Sequence, residues 1–587
     1  MYHSYSYLAL ALVLSQLASS WVPTAPAHKR DSEQHEAKDK LGAVASESSV
    51  CSQIGIDLIK NGGNAADALV GTVFCVGVIG MYHSGLGGGG FMIVRGSNGS
   101  YEFIDFREKA PAAAFTDMYN NNSDLSLFGG LASGVPGELR GLEYLHKHYG
   151  KLSWAHVMTP AISLARNGFT VTQDLVDYEI EAIGSGPNFL VEDPNFAIDF
   201  APNGTLLGLN ETITRQRYAD TLETISKRGA DAFYNGPIAN ATIQTLQAAN
   251  GTMTLEDLKN YTVAIRKPAQ ITYRDYKLTA CSAPSSGTVT LSVMKTIEGY
   301  SEIGEAATLN LSTHRLDEAI RFAYGERAYL GDPLFVPGLD EYQQAMLNGT
   351  TAERVRSKIS DFHTLNVSAY DPTGLQSLET HGTSQVVTAD ASGMAISLTT
   401  TVNLLFGSQI VVPETGVIMN NEMNDFSIPN QSNAFGYEPS PANFVEPGKR
   451  PLSSISPTIV EFLKNGTLYF VIGSAGGSRI ITATIQNLWH VLDQNATVLE
   501  SLAEPRLHDQ VFYMLVLTWV IGKLIPNTVS FEYAYSNETT AFMSSLGHNV
   551  TWVAPGLSTA QGLRRLPNGT FEAAGEPRQH DSAGFAI

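Results

Sequence analysis

Apolar positions Ile54, Ile56, Leu58 and Ile59 recur at helical spacing in "GAVASESSVCSQIGIDLIKNGGNAADALV", and Gly62-Gly63 stops the run. Asn64 is a suitable cap for a second helix. "HSGLGGGGFMIVRG" then reads as a glycine loop feeding a strand. Residues 137–170, 215–260 and 312–330 carry amphipathic helical patterns. From 383 onward the period changes. "TSQVVTADASGMAISLTTTVNLLFG" predicts two strands joined at Asp390–Gly393, and "SPTIVEFLKNGTLYFVIGSAGG" a hairpin turning at Lys464–Gly466. "SRIITATIQNLWHVLDQ" predicts a helix whose first turn abuts Gly476-Gly477. Strands flanked by helices on both sides predict a layered α/β protein.

Two apolar runs stand outside this pattern. Residues 7–18, "YLALALVLSQLA", have the length of a signal-peptide core, with Ala18, Ser19 and Ser20 as small residues for cleavage. Ahead of the run lies no Lys or Arg, only His3, so an uncleaved signal anchor is the rival reading. Residues 1–20 are thus assigned to a signal peptide or anchor, and 21–40 to a polar lead-in with a dibasic Lys29-Arg30 pair. The second run, 511–524, has a core of about eleven apolar residues, too short to span a bilayer. It is either a buried strand or helix, or an insertion foreign to the fold.

Composition narrows the class. Hydrophobic content of 43% and charged content of 16% belong to a globular chain. A net charge of −20 excludes nucleic acid as an expected partner, because phosphate binding needs a basic face. Asn-x-Ser/Thr sequons run along the whole chain, from Asn98 to Asn568, and predict a glycosylated secretory-pathway protein. Cys51, Cys75 and Cys281 are too few for a disulfide scaffold; Cys51 and Cys75 are placed to pair locally. In the glycine loop the strand follows the glycines, the reverse of a dinucleotide-binding turn, so close backbone packing is the expected role.

The candidate chemistry begins at "HGTSQVV". A threonine freed at a new N-terminus carries its own base, since an α-amine titrates near ~7.7–8 whereas a lysine titrates near ~10.4. Cleavage at Gly382–Thr383 would expose such an amine at Thr383, and glycine at 382 leaves the scissile carbonyl uncovered. Downstream, Thr399, Thr401 and Asn403 fall at period two, on one predicted strand face. "MNNEMNDFS" offers Asn421, Glu422 and Asp425; "RPLSSISP" offers Ser453 and Ser454; "GSAGGSR" offers the successive amides of Gly476 and Gly477. Arg107 in "FIDFREKAP" sits at a predicted strand end. A guanidinium fork with carboxylates and hydroxyls suits the α-carboxylate and α-amine of a free amino acid. Read separately, Arg107 would serve a surface ion pair, the Asn-Glu-Asp loop a turn, and the serine pair a cap.

The order of "NGGNAADA", "GLGGGGFMIV", "DFREKAP", "SGVPGELRG", "APSSGTVT", "RFAYGERAYLGDP", "HGTSQVVTADASG", "TTTVNLLFGS", "NNEMNDFS", "RPLSSISPTIV", "GSAGGSRI" and "FEYAY" resembles the γ-glutamyltransferase (γ-glutamyl transpeptidase) family of the fungal secretory type, over residues 40–587. The resemblance implies an N-terminal-nucleophile hydrolase fold, an αββα sandwich formed jointly by two subunits after autocleavage. It divides the chain into a helix-rich large subunit, 41–382, and a strand-rich small subunit, 383–587. It implies γ-glutamyl transfer from glutathione and other γ-glutamyl compounds to amino acids, dipeptides or water, with no cofactor and no metal. Thr383 becomes the nucleophile, and Thr401 orients its amine or hydroxyl. Arg107, Ser453 and Ser454 hold the substrate α-carboxylate, and Asn403, Glu422 and Asp425 the α-amine. Gly476 and Gly477 form the oxyanion hole, and Cys51 and Cys75 form a disulfide. The implied location is extracellular, cell-wall or vacuolar, with membrane contact only through an uncleaved N-terminal segment.

Two departures stand out. The family commonly has His two residues after the nucleophile, where this chain has Gln385, which cannot accept a proton. The run 511–524 has no counterpart and reads as translated intron sequence. The rival functions are a catalytically impaired secreted glycoprotein of the same fold, and an amidase of the cephalosporin-acylase kind.

Overall fold

The computed structural model describes residues 39–371, 382–429, 439–511, 514–516, 523–525 and 528–587. The expected signal segment and most of the polar lead-in lie outside them. Thirteen strands build two sheets: β1 (Gly42–Ser46), β2 (Gly89–Arg95), β3 (Tyr101–Asp105), β4 (Ala264–Arg266), β5 (Ala269–Tyr273), β6 (Tyr276–Ala280), β7 (Ser384–Asp390), β8 (Ala395–Thr401), β9 (Thr458–Phe462), β10 (Leu468–Ala475), β11 (Thr559–Arg565), β12 (Phe571–Ala574) and β13 (Ala583–Ala586). The first sheet runs β13-β1-β7-β8-β2-β3-β4 and the second β12-β11-β10-β9-β6-β5, with neighbours antiparallel throughout.

Period-two alternation sorts side chains into layers. Phe91, Ile93, Val387 and Ala395 point inward to Ile459, Val471 and Leu563 of the second sheet. Their neighbours Met92, Val94, Val386 and Ile396 point outward into a core containing α2 (Ala65–Ile79). Val460, Phe470 and Ile472, on the far face of the second sheet, join helices 287–297, 309–327 and 479–493. The architecture is an αββα sandwich. In both sheets, strands from before residue 382 hydrogen-bond to strands from after it: β1 to β7, β2 to β8, and β6 to β9.

Local signals explain the element ends. Asn64 and Asp67 close a capping box on α2, and the Asp390 carboxylate accepts from the Ala65 amide at 2.9 Å. A disulfide joins Cys51 of α1 (Ser49–Lys60) to Cys75 of α2, while Cys281 is free and buried. In the glycine loop a Cβ on Gly88 or Gly90 would stand 2.1 Å from the carbonyl oxygen of Thr401 or Thr399. The glycines therefore let β2 lie against β8, which is the packing role expected of them.

Three expectations are refined. The stretch 137–170 is two helices, α3 (Glu138–Tyr149) and α4 (Trp154–Asn167), divided at Gly150. The helix Leu309–Arg327 is buried along most of its length rather than amphipathic. Its polar residues are paired inside the protein, Arg321 lying 2.8 Å from Asp509 and 3.2 Å from Asp317. In the run 511–524, the backbone of 514–516 pairs with 523–525 as a separate two-stranded sheet, and the segments between lie outside the described residues. No helix among the described residues is long and apolar enough to cross a membrane.

His314, Glu318 and His548 bring three possible metal-donor atoms within 4.8 Å of one another in the core. Glu318 is already engaged by Thr364 and Tyr370 and lies 3.6 Å from the Arg321 guanidinium, an arrangement that serves packing better than a cation.

Glu138, in the first turn of α3, is buried and accepts from Thr400 and from Ser84. Burial pushes its carboxyl up from 4.5 to about 7. Between those values the unfolded chain releases a proton that the folded protein keeps, so native stability falls as pH rises and the loss is complete above about 7. Glu138→Gln lacks this titration. The loss of unfolding free energy from pH 5 to pH 8 should be smaller in the variant than in the parent by about 1–3 kcal/mol, and the melting temperature should drop less accordingly. Equal drops in parallel thermal melts would rule the assignment out.

Candidate active site

The site is assembled where β7 begins and β8 ends, against the loops that follow β3, β8 and β10. Gly382 enters β7 with φ of 118°, and a Cβ there would lie 2.4 Å from the Asn403 carbonyl oxygen, so glycine is required. The chain is continuous across Gly382–Thr383. The Thr383 hydroxyl donates to the Gly382 carbonyl oxygen at 2.6 Å, and the Thr401 hydroxyl donates to the same oxygen at 2.7 Å. Two hydroxyls thus polarise one peptide carbonyl, with the Thr383 oxygen beside it.

Thr401 in turn accepts from the Asn403 amide at 2.7 Å. Asn403 is not on the strand face predicted for it. β8 ends at Thr401, and Asn403 adopts a left-handed φ of 75°, its side chain donating to the Asn421 carbonyl at 3.0 Å. Asn421 also receives the Leu404 amide at 3.0 Å. A turn held by Asn421, rather than the pleat, places Asn403.

Arg107 follows β3 and is buried, so the surface-pair reading fails. Its guanidinium forks between Glu422 and Asp425, with Glu108 at 3.9 Å. Burial of three carboxyls around one cation has the expected effect: Glu108 is pushed up to about 8, and Glu422 is raised well above the usual carboxyl range. A ligand ammonium would supply the missing positive charge, and a ligand carboxylate would match the Arg107 fork.

Ser453 and Ser454 lie in a segment outside any helix or strand, not at a helix cap. The Ser453 amide donates to Pro284 at 2.8 Å, and Arg327 donates to the Ser454 hydroxyl at 3.0 Å and to Ser286 at 3.1 Å. Gly476 and Gly477, with φ of 115° and 60°, make the turn from β10 into the helix Arg479–Asp493. That helix presents its N-terminal end, favourable to negative charge, beside the site.

Arg107, Thr383, Thr401, Asn403, Glu422, Asp425, Ser453, Ser454 and Gly477 line one small cavity. A second, larger cavity meets it at Thr383 and is lined by Gly382, Gly476, His83, Tyr178, Glu181 and Ser558 among others. Gln385 lines neither. Its buried side chain donates to Ser397 at 2.9 Å, accepts from Thr399 at 2.5 Å, and packs against Gly473 of the second sheet. It stands inside the sandwich, not over the nucleophile.

Sequence reasoning missed Glu108, Arg327 and the whole second cavity. Glu108 and Arg327 lie within motifs quoted above, "DFREKAP" and "RFAYGERAYLGDP", where other charged residues flank them and residue type alone did not single them out. Tyr178 and Glu181 fall in a helix with no motif and gave no signal.

The sequence profile described as Gamma-glutamyltranspeptidase matches residues 51–586. The chain is 54% identical over 561 residues to the "Glutathione hydrolase proenzyme" of Arthroderma benhamiae, covering 93% of each chain. It is 49% identical over 551 residues to the "Glutathione hydrolase" of Aspergillus flavus, covering 94% of this chain and 90% of that one. Among solved structures, cephalosporin acylase from Bacillus halodurans superposes with a TM-score of 0.80 at 24% identity, covering 97% of this chain and 99% of that one, a likeness of fold. Gamma-glutamyltranspeptidase from Helicobacter pylori matches with a TM-score of 0.50 at 33% identity, covering 53% of this chain and 90% of that one.

Proposed function

The chain belongs to the gamma-glutamyltranspeptidase family, and from that premise we propose that it cleaves itself between Gly382 and Thr383 and then hydrolyses or transfers the γ-glutamyl group of glutathione and related amides. The observation that carries the reading is the meeting of Thr383 with Arg107, Glu422 and Asp425 in one cavity. Maturation begins with attack of the Thr383 hydroxyl oxygen on the Gly382 carbonyl carbon, whose oxygen already accepts from Thr401. The ester forms as the C–N bond breaks and frees the Thr383 α-amine, and water then hydrolyses the ester to give the Gly382 carboxylate and regenerate the Thr383 hydroxyl. Interleaved strands of both sheets keep the pieces 41–382 and 383–587 together as large and small subunits.

In turnover the substrate α-carboxylate takes the Arg107 fork with Ser453 and Ser454, and its α-ammonium takes Glu422, Asp425 and Asn403. Substrate thereby replaces the internal ion pairs of Arg107. The Thr383 oxygen attacks the γ-carbonyl carbon while its own amine accepts the proton and passes it to the leaving cysteinylglycine amine. The Gly476 and Gly477 amides and the adjoining helix end stabilise the oxyanion, where one donor is typically worth ~2.7–4 kcal/mol. Water then gives glutamate, and an amine acceptor gives a new γ-glutamyl amide. Because Gln385 lies within the sandwich, its replacement of His removes no group from the cavity wall.

The protein enters the secretory pathway by its N-terminal segment and carries glycans, a reading supported by the exposure of sequon residues Asn98, Asn203, Asn260, Asn348, Asn465 and Asn568. Its destination is extracellular, cell-wall or vacuolar. The test is direct. Deglycosylated protein should run as two bands, the smaller beginning "TSQVV" on N-terminal sequencing, and should release chromophore from a γ-glutamyl anilide. An intact Gly382–Thr383 bond in active material would overturn the reading.

A further inference from the structure

Two motifs have no part in the chemistry above, "APSSGTVT" and "RFAYGERAYLGDP". The fold brings them together behind Ser453 and Ser454. From the first motif, the Ser285 hydroxyl donates to the Ile455 carbonyl at 2.6 Å and the Ser286 hydroxyl to the Ser453 carbonyl at 2.5 Å. From the second comes Arg327, the last residue of the helix Leu309–Arg327. Its guanidinium is buried and forks between two hydroxyls, Nε donating to Ser286 at 3.1 Å and Nη2 to Ser454 at 3.0 Å. Burying a cation is costly, so the choice of what receives its donors carries weight. Tyr324, one turn earlier on the same helix, donates to the Ser478 carbonyl at 2.6 Å, just past the Gly476-Gly477 turn, and so anchors the helix end from which Arg327 reaches.

We propose that Arg327 is a positioning residue for donor binding: by donating to the Ser454 oxygen it turns the Ser454 hydroxyl hydrogen toward the substrate α-carboxylate. The inference rests on the donor reading above and adds to it a residue that stands behind the cavity wall rather than in it. A serine hydroxyl has one hydrogen to give and an oxygen that accepts. A guanidinium offers donors only, so the Ser454 hydrogen cannot point at Arg327. Among the described residues neither serine hydroxyl donates to a protein acceptor, while each oxygen accepts, Ser454 from Arg327 and Ser453 from the Ile455 amide at 3.2 Å. Both serines line the cavity that holds Arg107. Each hydrogen is thus left for a ligand oxygen there, and a carboxylate on the Arg107 fork has lone pairs to accept them. Without the Nη2 donor, the Ser454 hydroxyl is free to rotate and its hydrogen to turn inward. Lysine at 327 keeps a charge but cannot serve Ser286 and Ser454 together at fixed angles.

The experiment measures KM and kcat for γ-glutamyl anilide hydrolysis in Arg327→Lys, Ser454→Ala and the double variant. Each is checked for cutting on a denaturing gel and for folding by thermal melt. Ser454→Ala should raise KM about tenfold, the scale of one charge-assisted hydrogen bond. Arg327→Lys should raise KM roughly three- to tenfold while changing kcat less than about twofold. The double variant should exceed Ser454→Ala in KM by less than about twofold, because Arg327 acts through that hydroxyl. An arginine that only holds the fold together would give effects that multiply. Multiplied effects, or an unchanged KM in a folded and cut Arg327→Lys protein, overturn the proposal. Where Arg327→Lys does not fold or cut, Ser286→Ala leaves the guanidinium in place and removes its other acceptor. Its effect on KM should shrink in the Ser454→Ala background, and an equal effect in both backgrounds overturns the proposal. Failure of the parent to release chromophore at all would instead sink the functional reading beneath it, so the two failures are distinguishable.

Discussion

Thr383→Ala leaves the protein as one uncut chain and lowers γ-glutamyl anilide release by at least about a thousandfold, because one substitution removes the atom positioned to attack in both steps. In the uncut protein the Thr383 and Thr401 hydroxyls converge on the Gly382 carbonyl oxygen at 2.6 and 2.7 Å. Alanine keeps the backbone and the fold but supplies no nucleophile. Thr383→Ser keeps the hydroxyl and should restore both cutting and turnover in part. Thr401→Ala removes one of the two donors on the carbonyl and should slow cutting about 10²-fold or more, in line with loss of a single polarising donor. A denaturing gel over a time course reads cleavage, and the anilide assay reads turnover. Appearance of both fragments in Thr383→Ala would mean another residue attacks.

Arg107→Lys should raise KM for the γ-glutamyl anilide by about 10²-fold, with a smaller effect on kcat. The guanidinium is buried and forks between Glu422 and Asp425 with Glu108 close by. Lysine keeps the charge but not the two-pronged geometry that an α-carboxylate requires. Removing the charge altogether, as in Arg107→Ala, leaves buried carboxyls unpaired and should destabilise the fold by about 3–5 kcal/mol. The lysine variant is thus the cleaner test, and its melting temperature separates lost binding from lost folding. An unchanged KM in a folded Arg107→Lys protein would remove Arg107 from the substrate site.

Much of this site is legible along the chain because its parts are local. Gly382-Thr383, the serine pair and Gly476-Gly477 are adjacent residues, and the strands beside the two glycine-containing pairs announce themselves by period two. Arg107 and Glu422 could be nominated singly from residue type. Their mutual pairing could not, because it joins residues more than three hundred positions apart. The same limit explains the misplacement of Asn403: strand periodicity extrapolates through a strand end, and it was the hydrogen bond from Asn403 to Asn421 that turned the chain there.

The sequence by itself determined the strand alternation, the capped helices around the glycine pairs, and the one threonine preceded by a glycine that the fold could use. Those follow from backbone sterics and local periodicity, which act over a few residues. Only the tertiary structure decided which polar groups are dry, which carboxyls share one guanidinium, and which way Gln385 points. Desolvation and charge pairing depend on whatever the folded chain brings near, and that is how Glu108 is driven to about 8 and how a helix without any motif supplies Tyr178 and Glu181 to the far side of Thr383.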